Sequence, residues 1–234
     1  MCGITGYFHR GAASADATVV AKMTATLRHR GPDAEGYWGS EKIALGHRRL
    51  SIIDLSDRSN QPLLDNSQRY VIVFNGEIYN YRELQSQLKE YSFRTQSDTE
   101  VVLAAFMQWG GKCLEYLKGM FAFAIWDQQR QSLFLARDRM GVKPLYYYQK
   151  GTTFLFASEI RALLASGMIP RKIDRGTLPE YFYFQSFQFP HTLVEGIQEL
   201  SAGCSMEVTD QHARVQSYWQ LPTTISMEDA EDDQ

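Results

Sequence analysis

The amino-acid sequence predicts an α+β fold in which helices are layered against antiparallel β-sheet. Seven short strand-like runs occur with four amphipathic helical segments, and many of these runs follow one another through short turns. The stretch DQQRQ, residues 127–131, is one such turn, and so tight a connection between two strands indicates an antiparallel pair. The 234 residues are enough to bury a core in one large domain or two small ones.

Four segments have the apolar periodicity of helices that cover a core. The third is the clearest, because Ser97 and Glu100 have the spacing of a capping box and two glycines end the segment. Asn80 is the expected cap of the second segment, and Ser158 that of the fourth. In chain order, the segments are residues 14–33, 80–91, 97–111 and 158–167.

The strand-like runs are short and rich in aromatic and β-branched residues. Residues 121–125, FAFAI, alternate large and small side chains, which predicts a strand that is buried on both faces and crowded on one. In chain order, the runs are GITGYF (3–8), KIALGH (42–47), YVIVFN (70–75), MFAFAIWD (120–127), SLFLARD (132–138), LYYYQ (145–149) and TFLFAS (153–158).

Composition and charge argue against several classes of protein. The formal net charge is −3 and the basic residues form no large cluster, so no nucleic-acid partner is expected. No apolar run is long enough to cross a membrane and no signal-peptide pattern is present, which predicts a cytoplasmic protein without a membrane partner. Cys2, Cys113 and Cys204 fit neither a disulfide framework nor a zinc pattern, so no metal site is expected, and Cys113 and Cys204 are expected to be structural.

Cys2 is the first candidate catalytic residue. A thiol is a poor nucleophile until a base removes its proton. If Met1 is removed, as the small side chain at position 2 favours, Cys2 carries a free α-amine with a pKa of about 7.7–8.0. One residue then supplies both nucleophile and base. The alternative is a small apolar residue at the end of a strand.

Asn75 and Gly76 are candidates for stabilising a negative charge. A thiolate that attacks a carboxamide creates a tetrahedral oxyanion, which needs hydrogen-bond donors already in place. The Asn75 side-chain amide can supply one donor and the Gly76 N–H another, since a glycine lets a ligand approach the main chain closely. The alternative is an ordinary Asn–Gly hairpin turn.

Arg49 and Asp98 are candidates for binding the charged end of a free amino acid. The planar guanidinium of Arg49 suits a carboxylate, and Asp98 is placed at a helix start where a carboxylate is favoured. The alternative for Arg49 is an arginine exposed at the surface. The alternative for Asp98 is an aspartate that only stabilises the start of the helix. No histidine is assigned a catalytic role, and His47, although close to Arg49 in sequence, is expected at the surface.

Several motifs occur together and in order, and they resemble the glutaminase domain of glutamine-hydrolysing asparagine synthetases. That domain belongs to the class II glutamine amidotransferases, which are Ntn hydrolases. Sister families share the N-terminal CGI but differ at the segments that read HRGPD and FNGEIYN here. The motifs are MCGITGYF, RHRGPD, GHRRLSIIDLS, NQPL, FNGEIYN, SDTE, GMFAFAIWD, RDRMGVKPLYY and FASEIRALL.

The resemblance implies a four-layer αββα sandwich with two facing antiparallel sheets and a role for each matching residue. Cys2 resembles the nucleophile, and Asn75 and Gly76 resemble the oxyanion hole. Arg49 resembles the group that holds the carboxylate of the substrate L-glutamine. Residues that resemble the rest of the glutamine pocket are Leu50, Ile52, Ile53, Asn75, Gly76, Glu77 and Asp98.

The resemblance also implies a division of the chain. Residues 2–220 match the amidotransferase domain, and residues 221–234 form an acidic stretch that is expected to lead towards a further, ATP-pyrophosphatase domain of the same polypeptide. No glycine-rich phosphate loop is present in these 234 residues, so ATP and Mg²⁺ are expected only in that further domain, and no cofactor is expected here. The implied function is hydrolysis of glutamine to glutamate and ammonia for conversion of aspartate to asparagine, and a homodimer is suggested.

Two other functions remain open at this point. One is a glutamine-binding module that has lost turnover, although such a sensor would not need a thiol at position 2. The other is an amidotransferase domain whose ammonia goes to a sugar or peptide carboxylate, because the acceptor is chosen by the further domain.

Overall fold

The computed structural model describes residues 1–222. The predicted acidic segment falls almost entirely on residues 223–234, outside the described residues, and its role as a linker stays a prediction. Within the described residues there are twelve strands: β1 (Gly3–His9), β2 (Ala34–Gly39), β3 (Ile43–Arg49), β4 (Leu63–Leu64), β5 (Tyr70–Ile78), β6 (Gly119–Asp127), β7 (Ser132–Arg137), β8 (Tyr146–Lys150), β9 (Thr153–Ala157), β10 (Ile197–Glu199), β11 (Cys204–Val208) and β12 (Ala213–Ser217).

The same residues form six α-helices, four of which overlap the predicted segments. Short 3-10 turns at Asp57–Ser59 and Gly110–Lys112 complete the regular structure of residues 1–222. The helices are α1 (Ala17–Ala25), α2 (Tyr81–Gln87), α3 (Asp98–Trp109), α4 (Cys113–Tyr116), α5 (Ile160–Ala165) and α6 (Leu178–Phe184).

The strands form two antiparallel sheets of six strands each. The first has the order β10-β8-β9-β1-β3-β2, and the second has the order β12-β11-β7-β6-β5-β4. The turn predicted at 127–131 joins β6 to β7 as an antiparallel hairpin, in which Asp127 is opposite Ser132. β1 is central in its sheet, between β3 and β9, so both edges of the N-terminal strand are paired.

Three apolar clusters separate four layers. The inner cluster lies between the two sheets and contains Phe8, Trp126 and Phe156. A second cluster packs α2, α3 and α4 on the outer face of the second sheet, and a third packs α1 and α5 on the outer face of the first. This order of helix, sheet, sheet and helix confirms the predicted αββα sandwich.

The FAFAI strand explains how the layers fit together. Ala122 and Ala124 belong to the cluster between the sheets, whereas Phe121, Phe123 and Ile125 face the helices. The small residues therefore let the sheets approach, and the large ones fill the wider gap to the helices. The prediction of a strand that is buried on both faces is confirmed.

The predicted helix caps were correct at one position and wrong at two. Ser97 Oγ accepts a hydrogen bond from Glu100 N–H at 3.4 Å and caps α3. Asn80 makes no capping bond, because its amide bridges to the main chain of Tyr116 and Lys118. Ser158 does not cap α5 either, because its hydroxyl accepts a bond from the main chain of β1.

Candidate active site

All nine predicted site residues line one pocket of about 210 Å³. The pocket is smaller than the roughly 300 Å³ at the lower end for drug-sized ligands, which suits an occupant about the size of an amino acid. It is built where the start of β1, the end of β3, the middle of β5 and the start of α3 meet. The predicted lining residues are Cys2, Arg49, Leu50, Ile52, Ile53, Asn75, Gly76, Glu77 and Asp98.

Cys2 lies immediately before β1, with its thiol against the main chain that follows β3. Its Sγ lies 3.4 Å from Leu50 N and 3.7 Å from Leu50 O. Its own carbonyl accepts a bond from Arg30 Nε at 2.8 Å, so the backbone at the nucleophile position is held in place. Burial raises the pKa of the Cys2 thiol, so the thiol is protonated at neutral pH and needs a base to become a nucleophile.

Met1 also borders the pocket and is about half exposed, at 52%. Partial burial lowers the pKa of the Met1 amino group. The Met1 Sδ lies 3.1 Å from Nζ of Lys143, a buried lysine that the sequence analysis did not single out. The only sequence signal for Lys143 is its place in the motif RDRMGVKPLYY.

Asn75 and Gly76 lie within β5, paired with Ala122 and Phe121 of β6, so the alternative of a hairpin turn is wrong. Asn75 is buried at 1% exposure, and no hydrogen-bond acceptor for its Nδ2 occurs among residues 1–222. An unpaired buried amide is costly, and such exceptions are characteristic of functional sites.

Gly76 also has a steric role in the sheet. A Cβ at this position would lie 2.4 Å from Met120 O and 2.8 Å from Phe121 Cα. The missing side chain therefore accommodates the neighbouring strand β6, and the approach of a ligand to its main chain stays a prediction. Its main chain still borders the pocket beside Asn75.

Arg49 ends β3 and is buried, so the alternative of a surface arginine is wrong. Its Nη1 donates to Ser56 O at 2.9 Å and to Asn60 Oδ1 at 2.7 Å, and its Nη2 donates to Asp54 O. These bonds use three of the five N–H hydrogens of the guanidinium and fix the side chain against residues 54–60. The other two hydrogens are left for an anion in the pocket.

Asp98 is the first residue of α3 and is buried at 5% exposure. Burial, with a smaller contribution from the nearby Glu77, raises its pKa to about 6, although a bond from Ile78 N–H at 3.0 Å acts in the opposite direction. Asp98 is therefore ionised at neutral pH, with Glu77 beside it on the pocket wall. Two carboxylates at one end of the pocket and a guanidinium are suited to the ammonium and carboxylate of an amino acid.

The structure corrects the prediction for His47 and adds Gln61. His47 is fully buried, and its Nε2 lies 3.1 Å from Phe74 O, directly before Asn75. Gln61 is also buried and lines the pocket. Both residues are in motifs that the sequence analysis quoted, GHRRLSIIDLS and NQPL, but a single sequence cannot tell a buried polar side chain from an exposed one at these positions.

Comparison with known proteins decides the family. The family model described as "Glutamine amidotransferase domain" matches residues 1–219. The chain belongs to the glutamine amidotransferase family. This membership agrees with a small pocket that contains a guanidinium and two carboxylates.

Longer relatives of this amidotransferase domain have informative names. The chain is 38% identical over 228 residues to asparagine synthetase [glutamine-hydrolyzing] 3 of Bacillus subtilis, covering 94% of this chain and 37% of that protein. It is 35% identical over 245 residues to a putative asparagine synthetase of Methanocaldococcus jannaschii, covering 95% and 47%. It is also 37% identical over 239 residues to amidase chry2 of Gibberella zeae, covering 94% and 34%. The chain thus spans between about a third and a half of the length of these relatives.

A solved structure supports the fold of this amidotransferase domain. The glutamine phosphoribosylpyrophosphate amidotransferase of B. subtilis superposes with a TM-score of 0.71 at 21% identity, covering 94% of this chain and 50% of that one. At this identity the similarity establishes the fold alone.

Two further features of the described residues bear on the sequence predictions. Within residues 1–222, no group of three or more His, Cys, Asp and Glu side chains is placed to hold a metal ion. No helix among these residues is both long and apolar enough to cross a membrane. Whether the protein works without a cofactor stays a prediction.

Proposed function

We propose that this domain hydrolyses L-glutamine to glutamate and ammonia with Cys2 as the nucleophile. The observation that carries the proposal is the buried, unpaired Nδ2 of Asn75, a residue that lines the same small pocket as Cys2. A donor held ready without an acceptor is what a developing oxyanion requires. Family membership supports the same chemistry.

Glutamine binds by its amino-acid end in this proposal. The two remaining N–H hydrogens of Arg49 hold the α-carboxylate, and the carboxylates of Asp98 and Glu77 receive the α-ammonium. The main chain and side chains of Leu50, Ile52 and Ile53 line the walls. This leaves the side-chain amide of glutamine directed at Cys2.

The reaction then proceeds through a thioester. Once Met1 is removed, the α-amine of Cys2 accepts the thiol proton, and the thiolate attacks the amide carbon of glutamine. Asn75 Nδ2 and Gly76 N–H stabilise the tetrahedral oxyanion. The protonated α-amine of Cys2 gives its proton to the leaving nitrogen, and ammonia departs. Water then cleaves the γ-glutamyl thioester to release glutamate.

The role of the ammonia is a wider proposal. We propose that residues 2–220 form the amidotransferase and that residues 221–234 lead to an ATP-pyrophosphatase domain, which binds ATP and Mg²⁺ and makes asparagine from aspartate. The greater length of the bacterial and archaeal relatives supports a further domain, and their names support asparagine synthesis. We propose that such a full-length protein is cytoplasmic and homodimeric. The relative named as an amidase favours a second candidate, in which another acceptor receives the ammonia.

The direct test measures glutamate released from glutamine by the protein with Met1 removed. We expect release by the native sequence and none by Cys2→Ala. Binding of glutamine to Cys2→Ala, measured by calorimetry, should persist because the charged contacts remain. A native protein that binds glutamine but releases no glutamate would instead be a sensor.

A further inference from the structure

One edge of β5 is paired along the whole strand, and the other edge is paired only at its start. β6 pairs with all of β5, whereas β4 is two residues long and places Leu63 opposite Ile72. Backbone groups of alternate residues in an antiparallel strand point to opposite edges. Phe74, Gly76 and Ile78 therefore direct their N–H and C=O groups to the edge that β4 has left uncovered.

At two of these three positions, side chains form the hydrogen bonds that a neighbouring strand would otherwise form. Phe74 N–H donates to Gln61 Oε1 at 2.6 Å, and His47 Nε2 donates to Phe74 O at 3.1 Å. At the other end, Ile78 N–H donates to Asp98 Oδ2 at 3.0 Å. Both backbone groups of Phe74 are thus held by side chains from outside the sheet to which it belongs.

Gly76 lies between these two held positions and is treated differently. No side chain in the described part of the chain accepts a bond from its N–H, and its main chain borders the pocket. The same edge therefore contains two satisfied positions and one free donor, and the free donor faces the site of the proposed reaction.

Gln61 is itself held in place, and His47 is fully buried. Gln61 Nε2 donates to Thr99 Oγ1 at 3.1 Å, which ties it to the first turn of α3. Gly36 on β2 makes room for the main chain at Gln61, since a Cβ there would lie 2.1 Å from Gln61 O. Burial lowers the pKa of His47 to about 4, so its imidazole is neutral at pH 7 and keeps one N–H for Phe74 O.

We propose that Gln61 and His47 are positioning residues for the oxyanion hole. By holding both backbone groups of Phe74, they fix the strand at the residue before Asn75 and so aim Asn75 Nδ2 and Gly76 N–H at one point. The proposal rests on the proposed hydrolysis of glutamine and deepens it. His47 does not line the pocket, and Gln61 borders it with a side-chain amide that is bonded to Phe74 and Thr99.

A positioning role makes a prediction that a merely structural role does not. Donors to an oxyanion act in the transition state, so their misalignment lowers kcat and leaves KM nearly unchanged. A misplacement of about 1 Å costs on the order of 10²-fold in rate. A variant that only loses packing would have lower thermal stability, but it would not combine a lower kcat with an unchanged KM.

Two matched pairs of variants test the idea. Gln61→Met and His47→Met keep the length of the side chain and remove its bond to Phe74. Gln61→Glu keeps an acceptor for Phe74 N–H, and His47→Gln keeps a donor for Phe74 O. In the methionine variants, we expect kcat for glutamine to fall about 10- to 100-fold while KM stays within about twofold of the native value. Where a methionine variant loses about 100-fold in kcat, we expect kcat of the matched Glu or Gln variant to be at least about tenfold higher than that of the methionine variant.

Alkylation of Cys2 by iodoacetamide is the control within each variant. This displacement forms no oxyanion, so its rate should stay within about twofold of the native rate. The inference is overturned if the methionine variants keep native kcat, if KM rises in step with the loss, or if the Glu and Gln variants are no better than the methionine ones.

Amide hydrogen exchange of the native protein tests the geometry even if a methionine variant fails to fold. Phe74 N–H should be protected and Gly76 N–H should exchange at least tenfold faster, and equal protection of the two would overturn the inference. Failure of the proposed function can be told apart from failure of this inference. If the proposed function is wrong, native protein with Met1 removed releases no glutamate. If only the inference is wrong, the native protein keeps its activity.

Discussion

Cys2 is partly buried and Cys113 is fully buried, and both have thiols with raised pKa values, yet their surroundings differ completely. Cys113 begins α4 within the apolar cluster between the helices and the second sheet, where burial raises its pKa to about 12. Burial also raises the pKa of Cys2, but the pocket around Cys2 contains Arg49, Asp98 and the unpaired amide of Asn75. A raised pKa caused by burial is therefore common to both cysteines, and the polar groups around Cys2 are what distinguish it.

The largest expected effect separates the two cysteines directly. Cys2→Ala should reduce glutamate release below detection, because no other group in the pocket can form the thioester. Mass spectrometry after brief treatment with iodoacetamide should find the label on Cys2 and none on Cys113, which is fully buried in the folded chain. Labelling of Cys113 under native conditions would contradict the prediction, because it would show that the Cys113 thiol is as accessible as that of Cys2.

The next largest effect concerns the donor that distinguishes the Cys2 pocket. Asn75→Ala should lower kcat by about 10²–10³ while KM for glutamine changes little, because the amide acts on the transition state. Asn75→Asp is the matched variant of the same size, and it should be at least as inactive because a carboxylate repels the oxyanion. Native kcat in Asn75→Ala would show that Asn75 is not a donor to the oxyanion.

A smaller effect depends on pH and on Asp98. Its carboxylate binds the α-ammonium only when ionised, and its pKa of about 6 lies above the ordinary value because of burial. In the Cys2→Ala background, the Kd for glutamine should therefore be constant above pH 7 and rise about tenfold per pH unit below pH 6. Asp98→Asn should bind weakly and without this dependence. A Kd that stays constant down to pH 4.5 would contradict the assignment.

The smallest effect is expected at the structural cysteine. Cys113→Ala should leave kcat and KM unchanged and lower the free energy of unfolding by about 1 kcal/mol, because a small side chain is removed from an apolar cluster. Denaturant unfolding and the glutaminase assay on the same preparation measure both quantities. A large loss of activity with intact folding would assign Cys113 a role that its surroundings do not suggest.

The sequence was most informative where apolar pattern decides structure. All seven strand-like runs are strands, and FAFAI has the two faces that its alternation predicts. Three of the five strands that were not predicted have weak patterns: β4 has two residues, β12 is largely exposed, and β2 contains two glycines. Their pairing depends on neighbouring strands rather than on their own residues.

The nine candidate site residues meet in one pocket, and their individual roles stay predictions. All nine residues share one pocket, whereas the roles of Gly76 and His47 depend on what lies across from them in space. Met120 on β6 requires the glycine, and the Phe74 carbonyl requires the histidine. Such partners are 27 or more residues away along the chain, which a local reading cannot reveal.

The state of the Cys2 amine offers the most direct measurement. Protein with Met1 removed is compared with the same protein acetylated at the Cys2 α-amine, after thiol titration has shown that the sulfur of both forms is free. The acetylated form should bind glutamine and release no glutamate, because its amide nitrogen cannot accept the thiol proton. Glutamate release by the acetylated form at the native rate would show that the amine is not the base.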